Sequence, residues 1–102
     1  MRRRDDEGVI VTNVVHEYIE IGGALTYKPS VRDGRPEWTV YLTWDDGFER
    51  LVYNGRTGDP KRLRLMDSIG KFHQSIMPGD TSVTIGLIPA GASNRSANDE
   101  ED

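Results

Sequence analysis

The chain has 102 residues, a net charge of −4 and no cysteine, which leaves room for one domain and excludes disulfides and cysteine-ligated zinc. No apolar run approaches the ~20 residues that a membrane-spanning helix needs, and the first residues lack the apolar core of a signal peptide. The sequence therefore predicts an intracellular protein without a membrane segment.

The acidity is unevenly distributed along the chain. Residues 99–102 are all acidic, whereas residues 8–90 hold nine Lys or Arg against ten Asp or Glu. We expect a disordered charged arm over 1–8, a single α+β binding domain over 9–89 and a disordered acidic tail over 90–102. A nearly neutral domain does not coat nucleic acid through bulk charge, but it can carry one local basic patch.

The first patterned segment, 9–21, carries two competing signals. Its β-branched residues favour a strand. Its apolar residues instead recur at the spacing of a helix face, at Val11, Val14, Val15, Tyr18 and Ile19. Thr12 or Asn13 can cap a helix here and Gly22-Gly23 can end it. We predict a helix over 13–21, with a strand as the alternative.

Three strands with clear boundaries follow. The first runs over 25–32 and ends in a turn at 33–36, where Asp-Gly and Pro occur together. The second, 38–44, has apolar residues at alternate positions, as expected of a strand with one buried face. A tight Asp-Asp-Gly turn at 45–47 predicts a hairpin with a third antiparallel strand at 48–53.

The next segment has the boundary signals of a longer helix. Asp59 is a favoured N-cap, Pro60 suits the first helical position, and Pro78-Gly79-Asp80 ends the pattern. Residues 81–89 then alternate as in a last strand. The prediction is an α+β fold with a three-stranded antiparallel sheet and helices, in the order α-β-β-β-α-β.

Residue types that perform catalysis do not form a recognised constellation in this sequence. His16-Glu17 resembles the beginning of a zinc-protease helix motif, but position 20 is Glu where that motif needs a second histidine. Asp45 and Asp46 are explained by turn chemistry. We therefore predict no catalytic residue, no metal site and no cofactor, and a binding protein rather than an enzyme.

Three cations, Lys61, Arg62 and Arg64, fall in the first turn of the predicted second helix. Positive charge at this end opposes the helix macrodipole, at a cost of a few tenths of a kcal/mol per residue. One explanation is that an anion binds there. The other is that the long side chains extend into water while their stems cover the core.

Four short motifs and the order of the elements resemble the double-stranded-RNA-binding domain. The motifs are Val15-His16-Glu17-Tyr18 in the first helix, Tyr27 at the start of the first strand, Gly34-Arg35-Pro36-Glu37 in the following loop, and Lys61 with Arg64 at the second helix. The resemblance spans about residues 11–77, with Glu37 where the family usually has a histidine.

In that family, the first helix and the first loop contact successive minor grooves of the duplex, and cations of the second helix bind phosphates between them. The resemblance therefore implies double-stranded RNA as the partner. It implies Glu17 with Thr12 or Asn13 at one minor groove, Arg35 near the other, and Lys61, Arg62 and Arg64 on phosphates.

Two other functions fit the same sequence. One is a protein-interaction adaptor that pairs with another protein, or with a second copy of itself, through the last strand. The other applies if 9–21 is a strand, because four strands followed by a helix also occur in proteins that bind single-stranded nucleic acid.

Overall fold

The computed structural model describes residues 3–88 and contains a five-stranded mixed sheet with two helices. The strands are β1 (Ile10–Val11), β2 (Ala24–Arg32), β3 (Arg35–Thr43), β4 (Glu49–Tyr53) and β5 (Arg62–Leu63), and the helices are α1 (Val15–Ile19) and α2 (Met66–Ile76). The α+β class is confirmed, but the sheet has more strands than the three predicted. Within residues 3–88 no helix is long and apolar enough to cross a membrane.

The centre of the sheet is an antiparallel meander of β2, β3 and β4, as the alternation in the sequence predicts. β2 and β3 pair along their whole length up to Arg32 and Arg35. The turn between them places Asp33 at φ 55° and Gly34 at φ 76°. Two consecutive residues with positive φ are typical of the tight turn that matches the twist of a hairpin, so this turn fixes the register of β2 on β3.

Two short strands extend the meander. β1 runs parallel to β4, with Ile10 opposite Val52, and β5 pairs antiparallel with β3. β4 and β5 both pair with β3, one after the other along its length. Where the chain returns to the sheet, the Lys61 amide donates to the Val52 carbonyl at 2.8 Å. Residues 54–60 thus leave the sheet and return to it, and we call them the excursion loop. A two-residue strand is too short for its alternation to be recognised in a sequence.

The helix predicted over 13–21 is confirmed in its centre and is shorter than expected. A 3-10 turn at Thr12–Val14 leads into α1, whose Val15 and Tyr18 are buried in the core. The N-cap positions of the 3-10 turn and of α1 are occupied by Val11 and Val14, without a side-chain capping hydrogen bond, so the cap predicted at Thr12 or Asn13 is wrong. The predicted glycine stop is present, since the amides of Gly22 and Gly23 donate to the last carbonyls of α1 and Gly22 has φ 103°.

The second helix begins at Met66, so the start predicted at Asp59-Pro60 is wrong. Pro60 forms a bridge with Tyr53, and the two residues of β5 pair with Trp38 and Thr39. These contacts hold residues 60–63 in extended conformation, and tertiary pairing overrides the local cap signal. Lys61, Arg62 and Arg64 therefore precede α2, and the argument from the helix macrodipole does not apply to them.

The strand predicted over 81–89 is also wrong within the described residues, because 82–88 have no regular secondary structure. Val83 and Ile85 nevertheless pack against the core, and the Trp38 indole donates to the Gly86 carbonyl at 2.7 Å. The alternation of apolar residues reflects packing of an irregular segment on the core. The expected acidic tail, 90–102, lies outside the described residues.

Both helices pack on the same face of the sheet. The buried core joins Val15 and Tyr18 of α1 and Ile69 of α2 to alternate residues of β3, namely Trp38, Val40 and Leu42, and to Trp44 beyond it. The opposite face of the sheet is polar and carries no helix of the described chain.

Part of the N-terminal arm contacts the β3–β4 turn. Arg4 donates to the Asp46 carboxylate at 2.7 Å, and its guanidinium lies 4.6 Å from the centre of the Phe48 ring. Arg50 donates to the carbonyl of Arg4 at 2.7 Å. The hydrogen bond from Arg4 is the main reason why the pKa of Asp46 is lowered to about 2.

Candidate nucleic-acid interface

A buried carboxylate lies on the polar face of the sheet. Glu37 has the same strand parity as Thr39 and Tyr41, which face away from the helices, yet it is only 4% exposed. A carboxylate in such a position needs cationic or hydrogen-bonding partners, since its desolvation is costly.

Three arginines supply those partners. Their distances from Glu37 are 3.4 Å for Nε of Arg62, 3.7 Å for Nη1 of Arg32 and 4.0 Å for Nε of Arg64. Strand register brings them together, because Arg32 lies at the hairpin end of β2 while β5 carries Arg62 beside β3. One negative charge is thus shared by three positive charges.

A fourth arginine, Arg35, lines the same cavity of about 250 Å³ with Arg32, Glu37 and Arg64. We call Arg32, Arg35, Arg62 and Arg64 the arginine cluster. Asp33 also lines the cavity, so its lining has three arginines and two carboxylates. Arg62, which contacts Glu37 from outside the lining, adds a fourth cation. Each guanidinium has five N–H donors in a planar fork that fits phosphate in bidentate fashion. The side chains of Arg32 and Arg64 are 53% and 70% exposed, which leaves donors directed to solvent.

A second cleft, of about 480 Å³, lies between the 3-10 turn and the excursion loop. Its lining includes Thr12, Asn13 and Lys61, together with Asn54 and Arg56. Residues that are far apart in the sequence meet here because β1 pairs with β4, where the excursion loop begins.

The seven residues implied by the resemblance therefore fall into groups. Arg35, Arg62 and Arg64 belong to the arginine cluster, whereas Thr12, Asn13 and Lys61 line the second cleft. The seventh, Glu17, is partly buried in α1 and lines neither cavity.

Sequence reasoning missed Arg32, Glu37 and Arg56 as site residues. For Arg32 and Glu37 a signal existed, because a hairpin centred on Asp33-Gly34 places both on one face of the sheet, near the turn. Nothing in the sequence indicated that Arg56 would meet the 3-10 turn, since that contact depends on the pairing of β1 with β4.

On the rest of the polar face, the side chains contact one another. Lys28 donates to both carboxylate oxygens of Glu49, at 2.6 and 2.7 Å, and its ammonium lies 4.6 Å from the centre of the Tyr41 ring. The hydroxyls of Thr26 and Thr43 are 2.8 Å apart. Since Lys28 covers Tyr41, this ring is not an open platform for stacking of bases.

A buried polar network holds α2 on the sheet. One ring nitrogen of His73, Nδ1, lies 2.8 Å from the Tyr27 hydroxyl, and the other lies 2.7 Å from the Asp80 carboxylate. Burial, and secondarily the charge of Asp80, raises the pKa of Tyr27. Tyr27 is only 2% exposed, so we assign the network to fixing α2 and the turn after it.

Residues 3–88 contain no group of three or more His, Asp or Glu side chains that could hold a metal ion. Comparison of the chain with protein-family models, curated proteins and solved structures finds no match.

Proposed function

We propose that this chain is a non-catalytic binding module for duplex nucleic acid, double-stranded RNA above all, and that the arginine cluster holds its phosphates. One observation carries the proposal: Arg32, Arg62 and Arg64 converge on the single buried carboxylate of Glu37 and exceed its charge. Glu37 holds the three side chains together, and their excess charge and outward donors suit an anion with several oxygens.

The order of elements also supports a duplex ligand. An α1-β2-β3-β4-α2 series with both helices on one face agrees with the order that the resemblance to the double-stranded-RNA-binding domain implies. Arginines that contact phosphates position a protein on a duplex according to the shape of the nucleic-acid backbone, and they do not read the base sequence. β1, β5 and the excursion loop are additions to that order.

The test compares charge-matched variants in a fluorescence-anisotropy titration with a duplex RNA at several salt concentrations. Arg35→Gln/Arg64→Gln removes the two cluster arginines that contribute least to neutralising Glu37. Arg35 makes no ion pair with Glu37, and Arg64 is the most distant of the three arginines that do. Arg3→Gln/Lys71→Gln is the control, since both residues are exposed and lie outside the cluster.

We expect the cluster variant to bind more weakly and to reduce the slope of log K against log salt by about 2, as removal of two phosphate contacts requires. The control should keep the native slope. Equal effects in both variants, or native affinity in the cluster variant, would overturn the proposal. Duplex DNA and single-stranded RNA in the same assay test the choice of ligand.

The adaptor alternative has one observation in its favour, the position of β2 at an edge of the sheet. Its pairing surface would be β2 rather than the segment 81–89. Lys28 and Pro29 lie in this strand, and charged residues and proline are common means of preventing edge-to-edge pairing. We therefore rank nucleic-acid binding first.

A further inference from the structure

The cleft beside the excursion loop is the largest cavity described above, and its charge is one-sided. We propose that it binds a second phosphate of the same nucleic acid, so that the partner has to extend over several nucleotides. This inference rests on the proposed function, and it adds a site and a minimum length to it.

The charge of the cleft comes from Arg56 and Lys61, and no carboxylate lines it. Asp59 is the only acidic residue of 54–61, and it lies outside the lining. Thr12, Asn13 and Asn54 add hydroxyl and amide groups that can donate to phosphate oxygens. A cavity with cations and neutral donors but no acid attracts anions.

Neither cation of the cleft has a carboxylate partner within the described part of the chain. Neither Arg56 nor Lys61 forms an ion pair among residues 3–88, whereas Lys28 is bound by Glu49 and Arg4 by Asp46. The Lys61 ammonium lies 5.5 Å from the centre of the Phe72 ring, which orients the side chain without neutralising it. An incoming phosphate would therefore not have to displace an internal partner.

The wall of the cleft is held by hydrogen bonds within the excursion loop. The Arg56 amide donates to the Asn54 side chain at 2.8 Å, and the Asn54 amide donates to the Asp59 carbonyl at 2.8 Å. Gly58 has φ 78° and donates to the Asn54 carbonyl at 2.9 Å. A wall that is already ordered loses less conformational entropy when a ligand binds.

The two sites open on opposite faces of the sheet, and this sets the length of the partner. Arg62 contacts Glu37 on the polar face, whereas its neighbour Lys61 lies against Phe72 of α2 on the helix face. Successive side chains of a strand point to opposite faces, so β5 separates the two sites. A partner that contacts both sites has to pass around β5, and a mononucleotide is too short to do so.

The experiment measures affinity for a series of hairpin-capped RNA duplexes from about 4 to about 20 base pairs. The native chain should show a rise of about tenfold or more once a duplex is long enough to reach both sites. Arg56→Gln/Lys61→Gln should remove this rise and reduce the salt slope on long duplexes by about 2, while leaving short duplexes unaffected.

Three comparisons make the result decisive. Arg56→Gln/Lys61→Arg keeps one of the two charges and should recover about half of the lost slope, which a merely structural effect would not do. If the cleft variant keeps the native rise while the cluster variant loses binding, the second site is refuted and the proposed function stands. If neither variant differs from Arg3→Gln/Lys71→Gln, both proposals fail.

Discussion

Glu37 places a negative charge in the middle of a positive surface, and its contribution to the free energy of unfolding can be measured directly. Replacement by Gln keeps the shape but leaves Arg32, Arg62 and Arg64 facing one another without a counter-charge. Since these arginines are partly exposed and screened by solvent, we expect the free energy of unfolding to fall by about 1–2 kcal/mol, less than for a fully buried pair. Urea denaturation measures the change.

The matched control for Glu37→Gln is Glu49→Gln. Glu49 pairs with Lys28 on the same face, but both side chains are about two-fifths exposed, so the loss should stay below about 1 kcal/mol. Equal losses for the two variants would contradict the special role of Glu37.

The contact between Arg4 and Asp46 gives a prediction for acid pH. Because the pKa of Asp46 is lowered from 3.8 to about 2 in the folded chain, the stabilisation that this contact gives is complete above pH 3.8. It is lost as the pH falls through about 2. An NMR titration of the Asp46 carboxyl should show the low pKa, and Arg4→Ala should return it toward 3.8. Arg3→Ala should leave it low, because Arg3 pairs with Asp5 instead.

At the scale of elements, the attachment of α2 depends on His73. Replacing His73 by Leu removes the partner of the buried Tyr27 hydroxyl, and an unsatisfied buried donor costs about 1–3 kcal/mol. We expect His73→Leu to lower the free energy of unfolding by about that amount. Tyr27→Phe combined with His73→Leu should cost less than the sum of the single changes, because the two residues share one hydrogen bond.

The measurement for α2 is a double-mutant cycle by thermal or urea unfolding. His16→Leu is the control, since His16 is exposed on α1 and should change stability little. Strict additivity of the Tyr27 and His73 variants would show that their contact does not hold the helix.

The elements differ in how well the sequence specifies them. The long strands β2, β3 and β4 were predictable because their alternation and turn residues are local signals. β1 and β5 were not, because each consists of two residues that are defined only by a distant partner strand. The start of α2 was mispredicted for the same reason, since pairing with β3 outweighs the cap signal at Asp59.

The candidate site was predictable only in part. Arg35, Arg62 and Arg64 were identified from the sequence, but Arg62 and Arg64 were attributed to a helix start that does not exist. Glu37 joins Arg62 and Arg64 to Arg32, while Arg35 shares only the cavity, and the burial of Glu37 depends on the pairing of β2 and β5 with β3. A single sequence contains no signal for that three-strand arrangement.

For the whole molecule, the properties of the β2 edge predict a monomer. Lys28 and Pro29 in this strand oppose pairing with a second copy, so sedimentation velocity should find one chain in the absence of nucleic acid and a one-to-one complex with a short duplex. The variant Lys28→Thr/Pro29→Val, which restores a backbone donor and removes a charge, should self-associate more readily. A native dimer that persists without ligand would favour the adaptor function.

The excursion loop gives the molecule a replaceable part. The hydrogen bond from the Lys61 amide to the Val52 carbonyl closes the loop at its base, so the chain re-enters the sheet beside the point where it left. The entropy of closing such a detour grows only slowly with length, by about 0.6 kcal/mol for each doubling. New residues can therefore be grafted between Asn54 and Asp59, and the recognition surface redesigned, while the strands on either side keep their register.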